Sequence, residues 1–401
     1  MSVSGTTPRT TLTPASDDAA LRLAELHDAT GVPATFKLVG EKARVLAARR
    51  PEVLAALSRH AIGYHTDYHS VHPVVTEYCE PLPFEEGQAL FELFETQGCR
   101  DVAALTGQAP CTFGQAGGAW SPVIYPVLRK WGIPTYVDEG PWIGLDERPF
   151  WFMGVLNVMR MRSACVRFDH RRPEGLAAGL TAYDQALDAL EARGGGLLSI
   201  YFHPCEWSTD AFWDGVNFAK GANPPRAQWQ PAPLAPPAEV GQRFARMEQY
   251  LAHVAASRAE GVTCADLVEL YPDRTRGRAV SRDELLAAVA DWQDAVDFAK
   301  VDHGWLTAGE VLTTTSALLL GESAVPLPCD GPRTDLPKLK EPFEGVGRRP
   351  AVRRAVRAAL HRPGRRWLRA AAAPGRRAAG GADGSHRGVP VRGATLVTAR
   401  R

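Results

Sequence analysis

Residues 59–73 hold four of the chain's eleven histidines: His60, His65, His69 and His72. His65 and His69 stand four apart, a spacing at which one helical turn brings two imidazoles to the same side. Neutral imidazole is the commonest protein ligand for a divalent metal. Asp67 lies between the two, as a further donor or as a group that orients them. For His72 a substrate-facing or local role fits better than ligation, and His60 reads as structural. The competing reading is a polar, histidine-rich turn that binds no metal. A further titratable group is His203, which closes an apolar run and is followed by Cys205, Glu206 and Trp207.

These groups need elements to position them. The short apolar run of residues 61–64 reads as a buried strand leading into His65. Residues 197–203 form the clearest strand in the chain and end at His203. A strand that ends in potential ligands is how α/β enzymes expose a site at the carboxyl edge of a sheet. The remaining pattern alternates in the same way. A helix opens at Asp17 and Asp18 and ends near Gly31. A strand at 34–40 and a helix to Ser58 follow, with Pro51 opening the second half of that helix. Helices are predicted at 85–97, from Pro122 to Trp131, at 180–192 and at 240–257. Strands are predicted at 111–115, 135–139 and 150–155. This alternation argues for an α/β fold with a mainly parallel sheet. Ser281 with Glu284, and Thr307 with Glu310, read as capping boxes of two helices in a small helical appendage, residues 276–325. Residues 1–16 read as irregular.

Composition bounds the class. Of 401 residues, 45% are hydrophobic and 23% charged, an ordinary globular balance. The net charge of +1 hides an asymmetry: from Arg348 onward there are fifteen arginines against one acid, Asp383, which leaves the first 347 residues at about −13. Residues 326–401 read as a linker and a disordered Arg/Ala/Gly/Pro-rich tail. Fifteen arginines can neutralise phosphates, but such runs also arise when G+C-rich DNA is read out of frame, and no nucleic-acid partner is expected. The seven cysteines are odd in number and form no Cys-x-x-Cys pair, so neither a thiolate zinc site nor a disulfide framework is supported. No apolar run reaches the length of a membrane span. With no hydrophobic leader segment, the chain as written reads as soluble and cytoplasmic.

Taken together, residues 33–40, the following helix and residues 62–69 resemble the strand–helix–strand run of the polysaccharide deacetylase (NodB-type) family into its metal-binding histidine motif. Residues 198–203 resemble that family's late strand ending in a catalytic histidine. Residues 120–138 are similar to its helix-to-strand unit after an arginine motif. The resemblance covers about residues 17–270 and implies a distorted (β/α)7 barrel over 17–275, with the site at the strand carboxyl ends. It implies a hydrolase that removes an acetyl group from an N-acetylated or O-acetylated carbohydrate. The implied cofactor is a divalent metal, zinc first and cobalt or nickel next, held by an aspartate and two histidines. A second aspartate takes the proton of water, and a histidine protonates the leaving group.

Carried over, His65 and His69 are the metal ligands and His203 the general acid. The family's paired aspartates fall on Asp17 as base and Asp18 as ligand. Read from the residues alone, that pair is more simply helix capping and favourable charge at a helix start. The arginine motif is missing from residues 113–118, and Gln115 is the group left to orient a base. Asp138 or Glu139 can orient His203. Trp120, Trp142 and Trp207 can form a platform for a sugar face, although core packing is the commoner fate of tryptophan. These departures favour two alternatives, a catalytically impaired carbohydrate-binding relative or a related hydrolase of non-peptide C–N bonds. They also predict a sheet that is open where its first strand should be, a poorly ordered start and weak activity, with an upstream extension as the source of the missing strand.

Overall fold

The computed structural model describes residues 13–115, 120–137, 148–158, 165–290, 299–302, 304–306, 308–326 and 391–399. The chain divides into two units. The first comprises Met1–Phe150, Val155–Pro272 and Ser385–Arg401, and the second Trp151–Gly154 and Asp273–Gly384.

The first unit begins with helix α1, Pro14–Thr30. Pro14 occupies the first turn, where its missing N–H is no loss, and the Thr13 hydroxyl accepts from the Ser16 N–H. Gly31, at φ 67, ends the helix in the left-handed conformation that glycine adopts at little cost. The helix therefore starts inside the stretch expected to be irregular.

Strands β1 (Thr35–Leu38), β2 (Ala61–Tyr64), β3 (Thr112–Phe113), β4 (Thr135–Val137) and β5 (Val155–Val158) are parallel neighbours in that order. Every residue of β1, β4 and β5 is buried, as a parallel sheet covered on both faces requires. Helices α2 (Gly40–Arg49) and α3 (Pro51–Leu57) carry the chain from β1 to β2. Between β2 and β3 lie α4 (Val75–Cys79) and the long α5 (Phe84–Thr106), and α6 (Tyr125–Lys130) leads to β4. Strand β6 (Cys165–Val166), helix α7 (Pro173–Ala192) and β7 (Gly196–Phe202) form a second parallel crossover. Short helices α8 (Cys205–Ser208) and α9 (Trp213–Asn217) follow β7, and α10 (Pro237–Ala256) leads to β8 (Glu260–Val262).

Between β1 and β7 lies β9, Val391–Ala399, antiparallel to both, with Phe36 opposite Gly393 and Ile200 opposite Thr395. Its far end also pairs with β8. Neither the expected opening nor a structureless tail holds for these residues. The physical reason is the demand of two strand edges for partners: β1 and β7 would otherwise face each other with unpaired N–H and C=O groups.

Two other expectations change. The run 150–155 is two strands, Phe150–Phe152 and Val155–Val158, parted by Met153 and Gly154 at φ 50 and 72. The second unit is not purely helical. Ala279–Ser281 pairs with Ala324–Pro326, and Ala299–Val301 with Gly304–Leu306, both antiparallel. Helix Arg282–Ala288 does start at the predicted cap, where the Ser281 hydroxyl accepts from the Glu284 N–H; Thr307, the other predicted cap, lies outside the described residues. Val280, Leu285, Ala299, Val301, Leu306 and Val311 make this unit's core. No helix among the described residues is long and apolar enough to cross a membrane.

Candidate active site

At the end of β2 the His65 N–H still donates to the Leu38 carbonyl, at 2.8 Å, so the first candidate ligand is fixed by the sheet itself. The chain then turns sharply. Thr66 and His69 adopt φ of 63 and 54, a left-handed conformation that costs a residue with a side chain about 1–2 kcal/mol. Three backbone anchors hold the turn. The first two N–H groups of α2, which have no partner within the helix, take up the Thr66 and Asp67 carbonyls: Gly40 donates at 3.1 Å and Glu41 at 3.0 Å. The Asp67 N–H donates to Glu95 Oε2 of α5 at 2.7 Å.

This turn brings the His65 and His69 rings together, edge to face, with centroids 4.8 Å apart. Convergence therefore comes from a strained loop and not from the helical turn that the spacing suggested. Both rings are buried. His65 Nδ1 donates to the Gly114 carbonyl, which can only accept, so its neutral ring keeps the lone pair on Nε2. His69 Nδ1 meets Ser70 Oγ at 2.6 Å, and Ser70 in turn donates to Asp214 Oδ2 of α9 at 3.0 Å. A ring nitrogen tied to a carbonyl or carboxylate network is the usual arrangement behind a metal-binding imidazole. Two donors of this kind fit two positions around a divalent ion. Among the described residues no group of three or more His, Cys, Asp or Glu side chains could hold one.

His203 directly follows β7 and is fully buried. Its Nδ1 lies 3.2 Å from Glu206 Oε2, and the same carboxylate accepts from the His203 N–H and pairs with Arg167. Burial alone would raise the Glu206 carboxyl. The hydrogen bond and charge of His203, with the Arg167 guanidinium, outweigh it and hold Glu206 well below the usual carboxylate range. Glu206, a partner of His203, is thus three residues along its own chain; the predicted Asp138, with Glu139 and Trp142, lies outside the described residues. The segment after α8 links the two histidine groups: the Phe212 ring lies 5.2 Å from that of His203, and Asp214 reaches Ser70.

The paired aspartates are not with the histidines' hydrogen-bond partners. Asp17 is fully buried, but its oxygens are committed to Lys42 and, at 2.6 Å, to Arg49. Asp18 is exposed on α1 and pairs with Arg50 at 2.8 Å. Asp17 sits in the first turn of the helix, where its charge is favourable, and Asp18 follows it. Asp67 turns away as well. Its carboxylate pairs with Arg44 at 2.8 Å and lies against Gly40 and Gly98, where an added Cβ would come within 2.1 and 2.6 Å of Oδ1. Burial raises the Asp67 carboxyl, against the opposing pull of Arg44.

His72 bonds Glu77, at 2.7 Å, which also accepts from the Val74 N–H ahead of α4; this is a local cap. Trp207 is fully buried, stacked on His170 at 4.0 Å, with its Nε1 donating to the Arg243 carbonyl, and so offers no face to a sugar. Trp120 is half-buried and donates to the Tyr125 hydroxyl at 2.6 Å. Gln115 is fully buried one residue beyond the carbonyl that binds His65, and its amide has no hydrogen-bond partner among the described residues. A buried amide in that state is costly.

No protein-family model matches the chain, and no curated protein matches its sequence. Two solved structures are similar to it. A candidate polysaccharide deacetylase from Mycobacterium smegmatis is 15% identical, with a TM-score of 0.37 over 60% of this chain and 72% of that one. A family 4 carbohydrate esterase from Streptomyces lividans, in complex with acetate, is 17% identical, with a TM-score of 0.30 over 61% of this chain and 84% of that one.

Proposed function

We propose that the chain is a deacetylase-type hydrolase acting on an acetylated carbohydrate, with His65 and His69 as ligands of a divalent metal and His203 as general acid. On this reading the sheet is that of a distorted (β/α)7 barrel. The observation that carries the reading is the pairing of two buried imidazoles at 4.8 Å, with the ring proton of His65 held on Nδ1 by a backbone carbonyl. A zinc ion held there would polarise the acetyl carbonyl and supply activated water. His203, with Glu206 behind it, holds a proton for the leaving nitrogen or oxygen. The buried amide of Gln115 orients the acetyl group or the water.

A second reading has a specific motive. Asp17 is committed to Lys42 and Arg49, and the histidine pair has no third protein ligand among the described residues. A relative that binds acetylated sugar without hydrolysing it fits that arrangement. Elemental analysis of the purified protein and of His65→Ala, together with acetate release from acetylated chitooligosaccharides, separates the two. Metal lost in the variant together with its acetate release supports the hydrolase; sugar binding without acetate release supports the binder.

A further inference from the structure

We propose that Ser70 and Asp214 are positioning residues for His69: a buried hydroxyl–carboxylate relay holds the ring as the Nδ1–H tautomer and leaves its lone pair on Nε2. The inference rests on the reading of His65 and His69 as a divalent-cation pair. All three relay members are buried, His69 at 6% exposure, Ser70 at 7% and Asp214 at 1%.

Counting protons sets the direction of the relay. A serine hydroxyl has one hydrogen to give and a carboxylate has none. Ser70 donates that hydrogen to Asp214 Oδ2 at 3.0 Å. The Ser70 oxygen can then only accept from the ring it meets at 2.6 Å, so the hydrogen between them belongs to His69 Nδ1. The carboxylate is itself pinned, because Asp214 Oδ1 accepts from the Gly215 N–H at 2.8 Å. His65 reaches the same tautomer by a shorter route, through the Gly114 carbonyl. Two imidazoles on one turn are thus matched in tautomer by two unrelated segments, the end of β3 and the first turn of α9.

The pinned oxygen makes Asp214→Asn a directional test. The Oδ1 position must still accept from Gly215, so the asparagine carbonyl takes it and the amide NH2 faces Ser70. Ser70 then accepts from the amide and gives its own hydrogen to His69 Nδ1, which drives the ring to the Nε2–H tautomer.

Long-range 1H–15N correlation spectra of the metal-free, 15N-histidine-labelled full chain read this out, with the His69 signals assigned by their loss in His69→Gln. We expect the Nδ1–H pattern in the wild-type protein and in Ser70→Thr, which keeps the hydroxyl. The Nε2–H pattern is expected in Asp214→Asn, and loss of the fixed Nδ1–H pattern in Ser70→Ala. Zinc affinity by calorimetry should fall about 10–100-fold in Asp214→Asn and stay near wild type in Ser70→Thr. A wild-type His69 in the Nε2–H form, or an Asp214→Asn spectrum identical to wild type, overturns the relay. Should Asp214→Asn fail to fold, the contrast between Ser70→Ala and Ser70→Thr decides the same point. A wild-type chain that binds no zinc removes the cation reading, while the spectra still decide the relay.

Discussion

His203 and Glu206 form a pair whose chemistry depends on charge. The carboxylate lies on the Nδ1 side of a fully buried ring and is held ionised by Arg167 as well as by the histidine. An imidazolium in that setting is stabilised by its neighbour, and a general acid works only in its protonated form. Glu206→Gln keeps the shape and removes the charge. We expect it to lower the rate of acetate release and to move the alkaline limb of the pH–rate profile to lower pH, since the ring then gives up its proton more easily. An alkaline limb at the wild-type position, measured on the same substrate, would separate Glu206 from the acid. His203→Ala should cost about 10²–10⁴-fold in kcat, the usual worth of a positioned acid.

At the scale of elements, the turn that presents the histidines is anchored by one buried carboxyl of α5. Glu95 accepts from the Asp67 N–H at 2.7 Å and from the Tyr64 hydroxyl at 2.5 Å. Burial raises its carboxyl to about 7, with the Asp67 charge adding to the rise and the two hydrogen bonds opposing it. The folded chain therefore holds a proton here between about pH 4.5 and 7 that the unfolded chain has lost, and this group's contribution to stability falls as pH rises through that window. The shift corresponds to about 3 kcal/mol. Glu95→Gln can still accept from the Asp67 N–H and cannot ionise. Chemical denaturation at pH 5 and pH 8 should show wild type losing stability relative to Glu95→Gln at the higher pH. Equal losses in both proteins would contradict the assignment of that proton to Glu95. His27 works in the opposite direction. Burial lowers its ring to about 4, so the stability linked to it is lost as pH falls from about 6.5 to 4.

At the scale of the whole chain, the sheet of the first unit depends on nine residues near the C-terminus. Strand β9 joins β1 to β7, and without it both strands would present bare edges. A chain ending at residue 390 should melt at a lower temperature than the full chain and aggregate more readily as its concentration rises. An unchanged melting temperature by calorimetry would show that β9 does not hold the sheet. This strand was not legible in the sequence, because its short alternating run sits in an Arg-rich composition and its partners are β1, β7 and β8, far away along the chain. The histidines were legible because His65 and His203 end apolar strands, and a strand's end is a local property. The relay was not: Ser70 and Asp214 are 144 positions apart, and only the fold brings α9 to the β2 loop. The fate of Asp17 and Asp18 was legible in part: the residues alone read as a helix start, whereas the ion pair of Asp17 with Lys42, 25 positions on, comes only with the fold. The three-residue strands of the second unit are too short to show a period, so its helices alone stood out. Acetate release from an acetylated chitooligosaccharide by zinc-loaded full chain is the most direct test of a metal-dependent deacetylase. Release should disappear on chelation and in His65→Ala; no release from the zinc-loaded wild-type chain, or release indifferent to both changes, would contradict that function.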